Sequence, residues 1–195
     1  MTRKARLSRK TNETEIRVEL NLDGKGSYLI QTPLPFMDHM LSLLAKHGFF
    51  DLKVAAKGDV EVDAHHTVED LGILLGDAFR QALGEKSGIS RYGAATIPMD
   101  EALASVSLDL SGRPYLSYQA PALKGRIGNF EVRLLKEFLR AFSNHLQATV
   151  HVQLLQGEDL HHGAEAVFKA LARALDEACM QEKRSPGIPS TKGEL

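Results

Sequence analysis

The sequence HHTVEDLGILLGDAFRQAL, residues 65–83, has a second version in HHGAEAVFKALARALDEAC, residues 161–179. Both begin with His-His-x-x-Glu, and in both the apolar residues that follow recur three and four positions apart, as on one face of an amphipathic α-helix. Histidine and carboxylate are ligands that borderline divalent metals accept. The doubled motif therefore predicts two equivalent metal sites, and its residues are His65, His66, Glu69, His161, His162 and Glu165.

The likeness between the two parts of the chain extends upstream of the motifs. LNLDGKGSYLIQTP (20–33) and LDLSGRPYLSYQAP (108–121) each alternate polar and apolar residues on both sides of a Gly turn, which predicts a β-hairpin in each part. Each hairpin is followed by a helical pattern and then by a strand pattern. The helical patterns cover 36–48 and 130–145, and the strand patterns cover 51–58 and 149–157.

This order of elements predicts an α+β fold that is internally duplicated, with a β-hairpin, a helix, a strand and the His-His helix in each half. We place the first half at residues 1–88 and the second at 89–184, related by a pseudo-twofold axis and packed through either their sheets or their helices. The remaining segment, 185–195, contains two prolines and two glycines and is expected to end the last helix.

Composition and charge exclude several classes of protein. Lys and Arg number 24 against 25 Asp and Glu, a net charge of −1, so no overall field attracts nucleic acid or a membrane surface. No apolar run approaches the ~20 residues of a membrane-spanning helix, and the first residues lack the apolar region of a signal peptide. Cys179 is the only cysteine, which fits a reducing compartment. We expect a soluble, cytoplasmic protein.

Helix geometry limits which motif residues can share one ion. Residues i and i+4 lie on one face of a helix, whereas adjacent residues point about 100° apart. The first His and the Glu of each motif can therefore chelate one ion together. The second His, His66 or His162, must face elsewhere, and each can complete the shell of the other ion, either across the two halves or across a subunit boundary.

Alignment of the two halves adds a candidate ligand to each site. When the strand patterns are superimposed, His39 corresponds to Glu137 and His47 to His145. With His39 and Glu137 included, each site holds nitrogen and oxygen donors and keeps open positions in six-coordination. Such a donor set favours Mn²⁺ or Fe²⁺ over a closed structural zinc site, which prefers thiolates. We interpret His145 and His151 as surface or structural histidines.

Six segments of the chain carry a resemblance to a known family. They are DAHHTVEDLGILLGDAF, PFMDHMLSLLAKHGFFDL, SRYGAATIPMDEALA, DLSGRPY, LHHGAEAVFKALARAL and the terminal STKGEL. Together they resemble imidazoleglycerol-phosphate dehydratase over nearly the whole chain. The resemblance implies a duplicated α+β unit similar to the second domain of ribosomal protein S5. It also implies a lyase of histidine biosynthesis that converts D-erythro-imidazole-glycerol phosphate to imidazole-acetol phosphate by loss of water.

The resemblance further implies two Mn²⁺ ions per active site and a 24-subunit particle built from trimers, with active sites shared between subunits. Neither nucleic acid nor membrane is an implied partner. The implied metal ligands are His39, His65, His66, Glu69, Glu137, His161, His162 and Glu165. The residues implied to contact the substrate are Glu13, His39, His47, His65, His66, Glu69, Arg91, Arg113, Lys169, Ser190, Thr191 and Lys192.

The resemblance assigns the phosphate of the substrate to Arg91, Arg113, Lys169, Ser190 and Lys192. A phosphate dianion is bound best by charge-assisted donors, bidentate from Arg and point-like from Lys. Four such donors come from distant segments of the chain, and Ser190 and Thr191 precede the last of them in the tail. The family pattern implies that this tail becomes ordered when substrate binds. The charged donors are Arg91, Arg113, Lys169 and Lys192.

Two positions depart from the family pattern. Many relatives have His where this chain has Glu137, so that a carboxylate would replace an imidazole at the second ion. Many also have Gln where this chain has Leu43, which removes one expected polar contact on the phosphate side of the substrate. Neither position belongs to a His-His-x-x-Glu motif.

A hypothesis for the chemistry follows from paired cations on the imidazole ring of the substrate. The cations make the ring an electron sink, as an imidazolate, so that loss of hydroxide gives a diazafulvene-like intermediate. Loss of the neighbouring carbon-bound proton then gives an enol, which tautomerises to the ketone. Glu69 and Glu165 are alternative bases for that proton. Glu13 and His47 are candidates for general acid and base catalysis on the departing hydroxyl and water.

Other functions fit parts of the sequence. A metallohydrolase, whose paired ions activate water, predicts phosphate release from the same substrate. A binding module for RNA is an alternative at the level of the fold, but the chain has no Trp, only 6% aromatic residues and no Gly-rich phosphate loop. Metal ions that only join subunits are a further alternative, which subunit mass with and without a chelator would test.

Overall fold

The computed structural model describes residues 3–184, 187–193 and 195. Residues 185, 186 and 194 of the expected tail lie outside the described residues, as do residues 1 and 2. In chain order the elements are β1 (Lys4–Lys10), β2 (Thr14–Asn21), β3 (Tyr28–Gln31), α1 (Pro35–His47), β4 (Asp51–Gly58), α2 (His65–Leu83), β5 (Tyr92–Met99), β6 (Ala102–Asp109), β7 (Tyr115–Gln119), β8 (Arg126–Ile127), β9 (Phe130–Glu131), α3 (Leu134–Leu146), β10 (Thr149–Gln156) and α4 (Leu160–Cys179).

The longer strands form two four-stranded sheets with the same topology. The strand order is β1-β2-β4-β3 in the first sheet and β5-β6-β10-β7 in the second. In each sheet the first three strands are antiparallel, and the last strand runs parallel to its neighbour. The short strands β8 and β9 form a separate ribbon. Two similar mixed sheets covered by helices confirm the α+β class.

The predicted position of the hairpins is wrong. β2 and β3 flank the first Gly turn but do not pair, because β4 lies between them, and β10 separates β6 from β7 in the same way. The true hairpins are β1–β2 and β5–β6, one connection earlier. The reason is that β3 and β4 are parallel, and parallel neighbours require a crossover connection. α1 supplies that crossover in the first sheet, and α3 supplies it in the second.

The other predicted elements agree closely with the structure. β4 spans 51–58 as predicted, and α1 begins and ends one residue before the predicted 36–48. α3 begins at Leu134 rather than at 130, because Phe130–Glu131 pairs with β8 as strand β9. α2 and α4 contain the two His-His-x-x-Glu motifs in their first turns. None of the helices in the described part of the chain is long and apolar enough to cross a bilayer.

Helices, rather than sheets, form the contact between the two repeats. α2 packs against α3 and α1 packs against α4, while α2 lies on β1 and β2 and α4 lies on β5 and β6. The layers are therefore sheet, helices, helices, sheet, around one continuous apolar core. Aromatic rings cross this contact, as where Phe79 of α2 meets Phe142 of α3 edge-on with ring centroids 5.5 Å apart. A division of the chain at residue 88 stays a prediction.

Two glycines allow α2 and α3 to approach closely. A β-carbon added to Gly72 would lie 2.5 Å from the main-chain oxygen of Phe138, and one added to Gly76 would lie 2.7 Å from that of Phe142. No side chain fits at either place, so the main chain of α3 rests directly on α2. This contact fixes where the first turn of α2, with its His-His-x-x-Glu motif, lies relative to α3.

We predict that Gly72→Ala destabilises the protein. The atom that the new methyl group would meet is a main-chain oxygen, which cannot rotate away, so overpacking of about 2–3 kcal/mol is expected. This exceeds the gain of about 1 kcal/mol that Ala offers over Gly in a helix. The net loss of about 1–2 kcal/mol is to be measured as a lower melting temperature.

The matched control is Gln81→Ala, at an exposed position of the same helix, which should change stability by less than about 0.5 kcal/mol. Equal melting temperatures for Gly72→Ala and the parent would contradict the close approach of α3 to α2.

Candidate active site

Three potential metal ligands meet where α1 packs against α4. The Nε2 atoms of His39 and His161 lie 2.9 Å and 3.0 Å from the same oxygen, Oε1 of Glu165. His161 and Glu165 are one turn apart on α4, as the i, i+4 spacing requires, and His39 comes from α1 of the other repeat. The three donor atoms lie within 4.8 Å of one another. Packing between the repeats thus completes a group that one helix begins.

Glu165 is a nearly buried carboxylate with a stabilised negative charge. Its side chain is only 10% exposed, and burial alone would raise its pKa. Hydrogen bonds from Lys169, His39 and His161 outweigh that effect and lower the pKa of Glu165 to about 2. Lys169, one turn further along α4, contacts the second carboxylate oxygen, Oε2, and lies 3.0 Å from the sulfur of Met99. Glu165 is therefore ionised and held in one position.

His47 lies at the end of α1, close to the same group. Burial lowers the pKa of His47, and the positive charge of Lys169 lowers it further. The carbonyl of His47 accepts a hydrogen bond of 3.3 Å from Arg173, which ties the end of α1 to α4. A neutral imidazole in this place can accept a proton from a bound molecule and return it.

Residues just before each motif fix the positions of its histidines. Asp159 is the N-cap of α4, and its Oδ1 accepts hydrogen bonds from the main-chain N–H groups of His161 (2.7 Å) and His162 (3.0 Å). Before α2, Oδ1 of Asp63 accepts a hydrogen bond of 3.1 Å from the N–H of His65. In both helices a carboxylate therefore orders the first turn, from which the histidine rings project.

The second His of each motif faces a different group of carboxylates. Nδ1 of His66 donates a hydrogen bond of 3.0 Å to Oδ2 of Asp59 and lies 3.8 Å from Oε2 of Glu13. Nδ1 of His162 donates a hydrogen bond of 2.8 Å to Oε2 of Glu101. Neither ring turns toward the other repeat. Glu13, Asp59 and His66 form the second three-donor group in the described part of the chain.

The site that would be equivalent on α2 is more open. Nε2 of His65 and Oε2 of Glu69 are 3.8 Å apart. Glu137 lies on α3, which packs against α2 as α1 packs against α4. Its Oε2 accepts a hydrogen bond of 2.9 Å from Arg140, and Glu137 belongs to neither three-donor group among the described residues.

Arg91 connects the C-terminal segment to the second sheet. Its Nε and one terminal nitrogen donate to the two oxygens of Asp109, at 2.7 Å and 3.2 Å, and its other terminal nitrogen donates to the carbonyl of Pro189 at 2.7 Å. Arg91 has φ 72°, which is uncommon for a residue other than Gly. Hydrogen bonds to Ala178 and from Leu110 hold its main chain in that conformation.

The residues assigned to phosphate lie in two separate places. Ser190 and Thr191 line a shallow cavity beside Arg91, and Arg113 is exposed nearby, 3.7 Å from Asp109. Lys169 lies elsewhere, beside Glu165 on α4. Arg91 contacts the same helix at Ala178, nine residues further on, which is roughly 13 Å at a rise of about 1.5 Å per residue. One chain does not bring all the charged donors together.

A comparison with protein-family models identifies the family of the chain. Residues 32–175 match the family model described as imidazoleglycerol-phosphate dehydratase. The chain belongs to the imidazoleglycerol-phosphate dehydratase family. The imidazoleglycerol-phosphate dehydratase of Caldanaerobacter subterraneus subsp. tengcongensis is 61% identical over 193 residues, which are 99% of this chain and 100% of that protein. The one from Citrifermentans bemidjiense is 55% identical over the full length of both.

Solved structures of imidazoleglycerol-phosphate dehydratases have the same fold. The enzyme from Pyrococcus furiosus superposes with a TM-score of 0.84 at 39% identity, over 97% of this chain and 100% of that one. The enzyme from Staphylococcus aureus gives 0.83 at 36% identity, over 91% and 99%. As a member of the imidazoleglycerol-phosphate dehydratase family, the chain is a hydro-lyase that dehydrates imidazoleglycerol phosphate in histidine biosynthesis.

Three carboxylates that bond to predicted site residues were not among the sequence-predicted residues themselves. Asp59 and Glu101 bond the second histidines, and Asp109 bonds Arg91. Alignment of the two repeats could have identified Glu101, because it directly precedes β6 just as Glu13 directly precedes β2. Asp59 and Asp109 follow or end strands without a distinctive spacing, so only the tertiary structure identifies them.

We predict that Arg91→Lys loosens the C-terminal segment. A lysine ammonium cannot bridge Asp109 and the carbonyl of Pro189 with the planar geometry of Arg, so at least one charge-assisted hydrogen bond is lost. At about 1.5 kcal/mol or more per such bond, hydrogen–deuterium exchange of residues 187–193 should become roughly tenfold faster. Mass spectrometry of the C-terminal peptide measures this.

The matched control is Arg113→Lys, since the Arg113 side chain is 68% exposed and bonds the carbonyl of Ser111 rather than the tail. Equal exchange in the parent and in Arg91→Lys would show that Arg91 does not hold the segment.

Proposed function

We propose that the dehydration depends on two divalent metal ions, preferably Mn²⁺, held by the two His-His-x-x-Glu motifs. The observation that carries this proposal is the convergence of His39 and His161 on Oε1 of Glu165. A structural ion pair joins one cationic and one anionic side chain. Here two imidazole nitrogens from separate helices meet the same carboxylate oxygen, which is an arrangement typical of metal ligands.

The donor set of this group fits a six-coordinate ion. It combines nitrogen and oxygen donors and contains no thiolate, because Cys179 is fully buried elsewhere and burial raises the pKa of its thiol to about 12. Such donors suit Mn²⁺ or Fe²⁺ better than structural zinc. Three protein ligands leave positions for the substrate. Lys169 on the second oxygen of Glu165 keeps the carboxylate oriented.

We assign the second ion to His65, Glu69 and Glu137. In this assignment Glu137 on α3 completes the group on α2, just as His39 on α1 completes the group on α4. Glu137 must then exchange its ion pair with Arg140 for the metal. That pair is half exposed on the arginine side and joins residues one turn apart, so its loss costs at most about 1 kcal/mol. A metal–carboxylate bond compensates for so small a loss.

We assign His66 and His162 to ions bound mainly by neighbouring subunits. Within one chain both rings face carboxylates of their own sheet rather than the ions of the two motifs. The separation of Lys169 from Arg91, Arg113 and the tail supports the same arrangement. A 24-subunit particle built from trimers, with shared active sites, is the assembly that we propose.

The residues of the chain divide the chemical work. Bound ions would stabilise negative charge that develops on the imidazole ring of the substrate. Glu69 and Glu165 would be alternative bases for the carbon-bound proton, and Glu13 and His47 would transfer protons to the departing hydroxyl. Arg91, Arg113, Lys169, Lys192 and the hydroxyl groups of Ser190 and Thr191, contributed by more than one subunit, would bind the phosphate.

The reaction of metal-depleted protein tests this proposal. We expect that chelator treatment abolishes conversion of imidazoleglycerol phosphate to the ketone, that Mn²⁺ restores it, and that no free phosphate appears. Ketone formation at the parent rate without metal would contradict the metal requirement. Release of phosphate would instead support a metallohydrolase.

We also predict that His66→Ala removes metal-dependent turnover without unfolding the protein. The ring is partly exposed and makes its hydrogen bond to a loop, so the core is unaffected. The matched control is His151→Ala, an exposed position on β10 that should retain full activity. A His66→Ala variant with the turnover of the parent would contradict the assignment of the second histidines to metal.

A cytoplasmic location remains part of the proposal.

A further inference from the structure

Glu101 holds two groups of α4 at once. It lies in the tight turn between β5 and β6, and its Oε2 accepts the 2.8 Å hydrogen bond from Nδ1 of His162. Its Oε1 accepts a hydrogen bond of 3.0 Å from the main-chain N–H of Asp159, the N-cap of the helix. The carboxylate is therefore fixed by one oxygen and orients the imidazole with the other.

This contact determines which nitrogen of His162 is free. An N–H at Nδ1 that is bonded to a carboxylate leaves Nε2 as the unprotonated nitrogen in the neutral ring. Metal-binding histidines commonly have their second nitrogen bonded to a carboxylate in this way, and loss of that partner typically lowers metal affinity about 10–100-fold. Nε2 of His162 is thus prepared to bind an ion.

Asp59 has the same relation to His66. Its Oδ2 accepts the hydrogen bond from Nδ1 of His66. Its other oxygen, Oδ1, is buried and has no hydrogen-bond partner among the described residues. A buried carboxylate oxygen without a partner is unfavourable for stability, so the orientation of His66 is the role that accounts for Asp59.

The two repeats take these carboxylates from different places. Asp59 is the first residue after β4, but Gly157 is the first residue after β10 and has no side chain to offer. Glu101 directly precedes β6, and the corresponding Glu13 directly precedes β2, where it lies 3.8 Å from His66, beyond hydrogen-bond distance. In the first repeat Asp59 therefore leaves Glu13 available for another purpose.

We infer that Glu101 and Asp59 are positioning residues, which bond Nδ1 of His162 and His66 and so leave Nε2 of each ring to bind metal, while Glu13 is left free for the substrate. This inference rests on the proposed metal requirement. It adds two residues to the site and distinguishes two glutamates that occupy equivalent turns.

Substitution of Gln for Glu at equivalent positions separates the two roles. In Glu101→Gln the amide oxygen can still accept from Asp159, but the NH₂ group then faces Nδ1 of His162 and favours the tautomer with a proton on Nε2. Both the variant and the parent are depleted of metal with a chelator and then titrated with Mn²⁺, while electron paramagnetic resonance measures the free Mn²⁺. We expect the variant to bind Mn²⁺ about 10–100-fold more weakly than the parent. Glu13→Gln should bind Mn²⁺ within about fivefold of the parent, because an exposed charge at that distance contributes little.

A second variant tests Asp59 by separating metal affinity from stability. Asp59→Leu has a similar shape and removes the unpartnered buried oxygen, so the metal-free protein should melt no lower than the parent. Its affinity for Mn²⁺ should nevertheless fall about 10–100-fold. Glu158→Gln, an exposed charge near the start of α4, is the control for loss of a negative charge and should bind Mn²⁺ like the parent.

The outcomes distinguish this inference from the proposal on which it rests. Equal Mn²⁺ affinities for Glu101→Gln, Glu13→Gln and the parent would overturn the positioning role while the metal requirement stands. A different result would also overturn the inference. If Glu101→Gln binds Mn²⁺ more weakly and its metal-free form also melts at a lower temperature than the metal-free parent, the residue has a structural role. Failure of the parent itself to bind Mn²⁺ would overturn the proposed function first.

Discussion

Consecutive side chains of an α-helix point about 100° apart, whereas residues one turn apart share a face, and the whole site depends on this constraint. In a His-His-x-x-Glu motif the first His must meet the Glu, and the second His must turn away from both. On α4 this places His161 against Glu165 and His162 against Glu101. One motif therefore serves two locations, and neither location can be completed by one helix.

Packing of the repeats supplies what the motif lacks. Because α1 lies on α4, His39 joins the group around Glu165, and Lys169 balances the buried charge. The equivalent contact of α3 with α2 leaves Glu137 in an ion pair with Arg140, so the two candidate groups of the fold differ in how far they are assembled.

The sequence predicts those features that are set by local periodicity. Helices α1, α2 and α4, strand β4 and the pairing of His161 with Glu165 all follow from spacing within one segment. The hairpins were misplaced because a Gly turn between two strands does not reveal that β4 enters between them. The repeat pairs Glu101 with Glu13, but its contact with His162 is visible only in the folded sheet. The family resemblance supplied Arg91, yet not its bond to Asp109, since long-range partners leave no periodic signal.

The central claim is that each motif directs its first His and Glu to one ion and its second His to another. A crystal of the Mn²⁺-loaded protein, with anomalous scattering recorded at the manganese edge, tests it most directly. The account predicts a peak bonded to Nε2 of His39, Nε2 of His161 and a carboxylate oxygen of Glu165, with Nε2 of a second motif histidine from a neighbouring chain in the same shell. A peak bonded to both adjacent histidines of one motif, or no peak at Glu165, would contradict it.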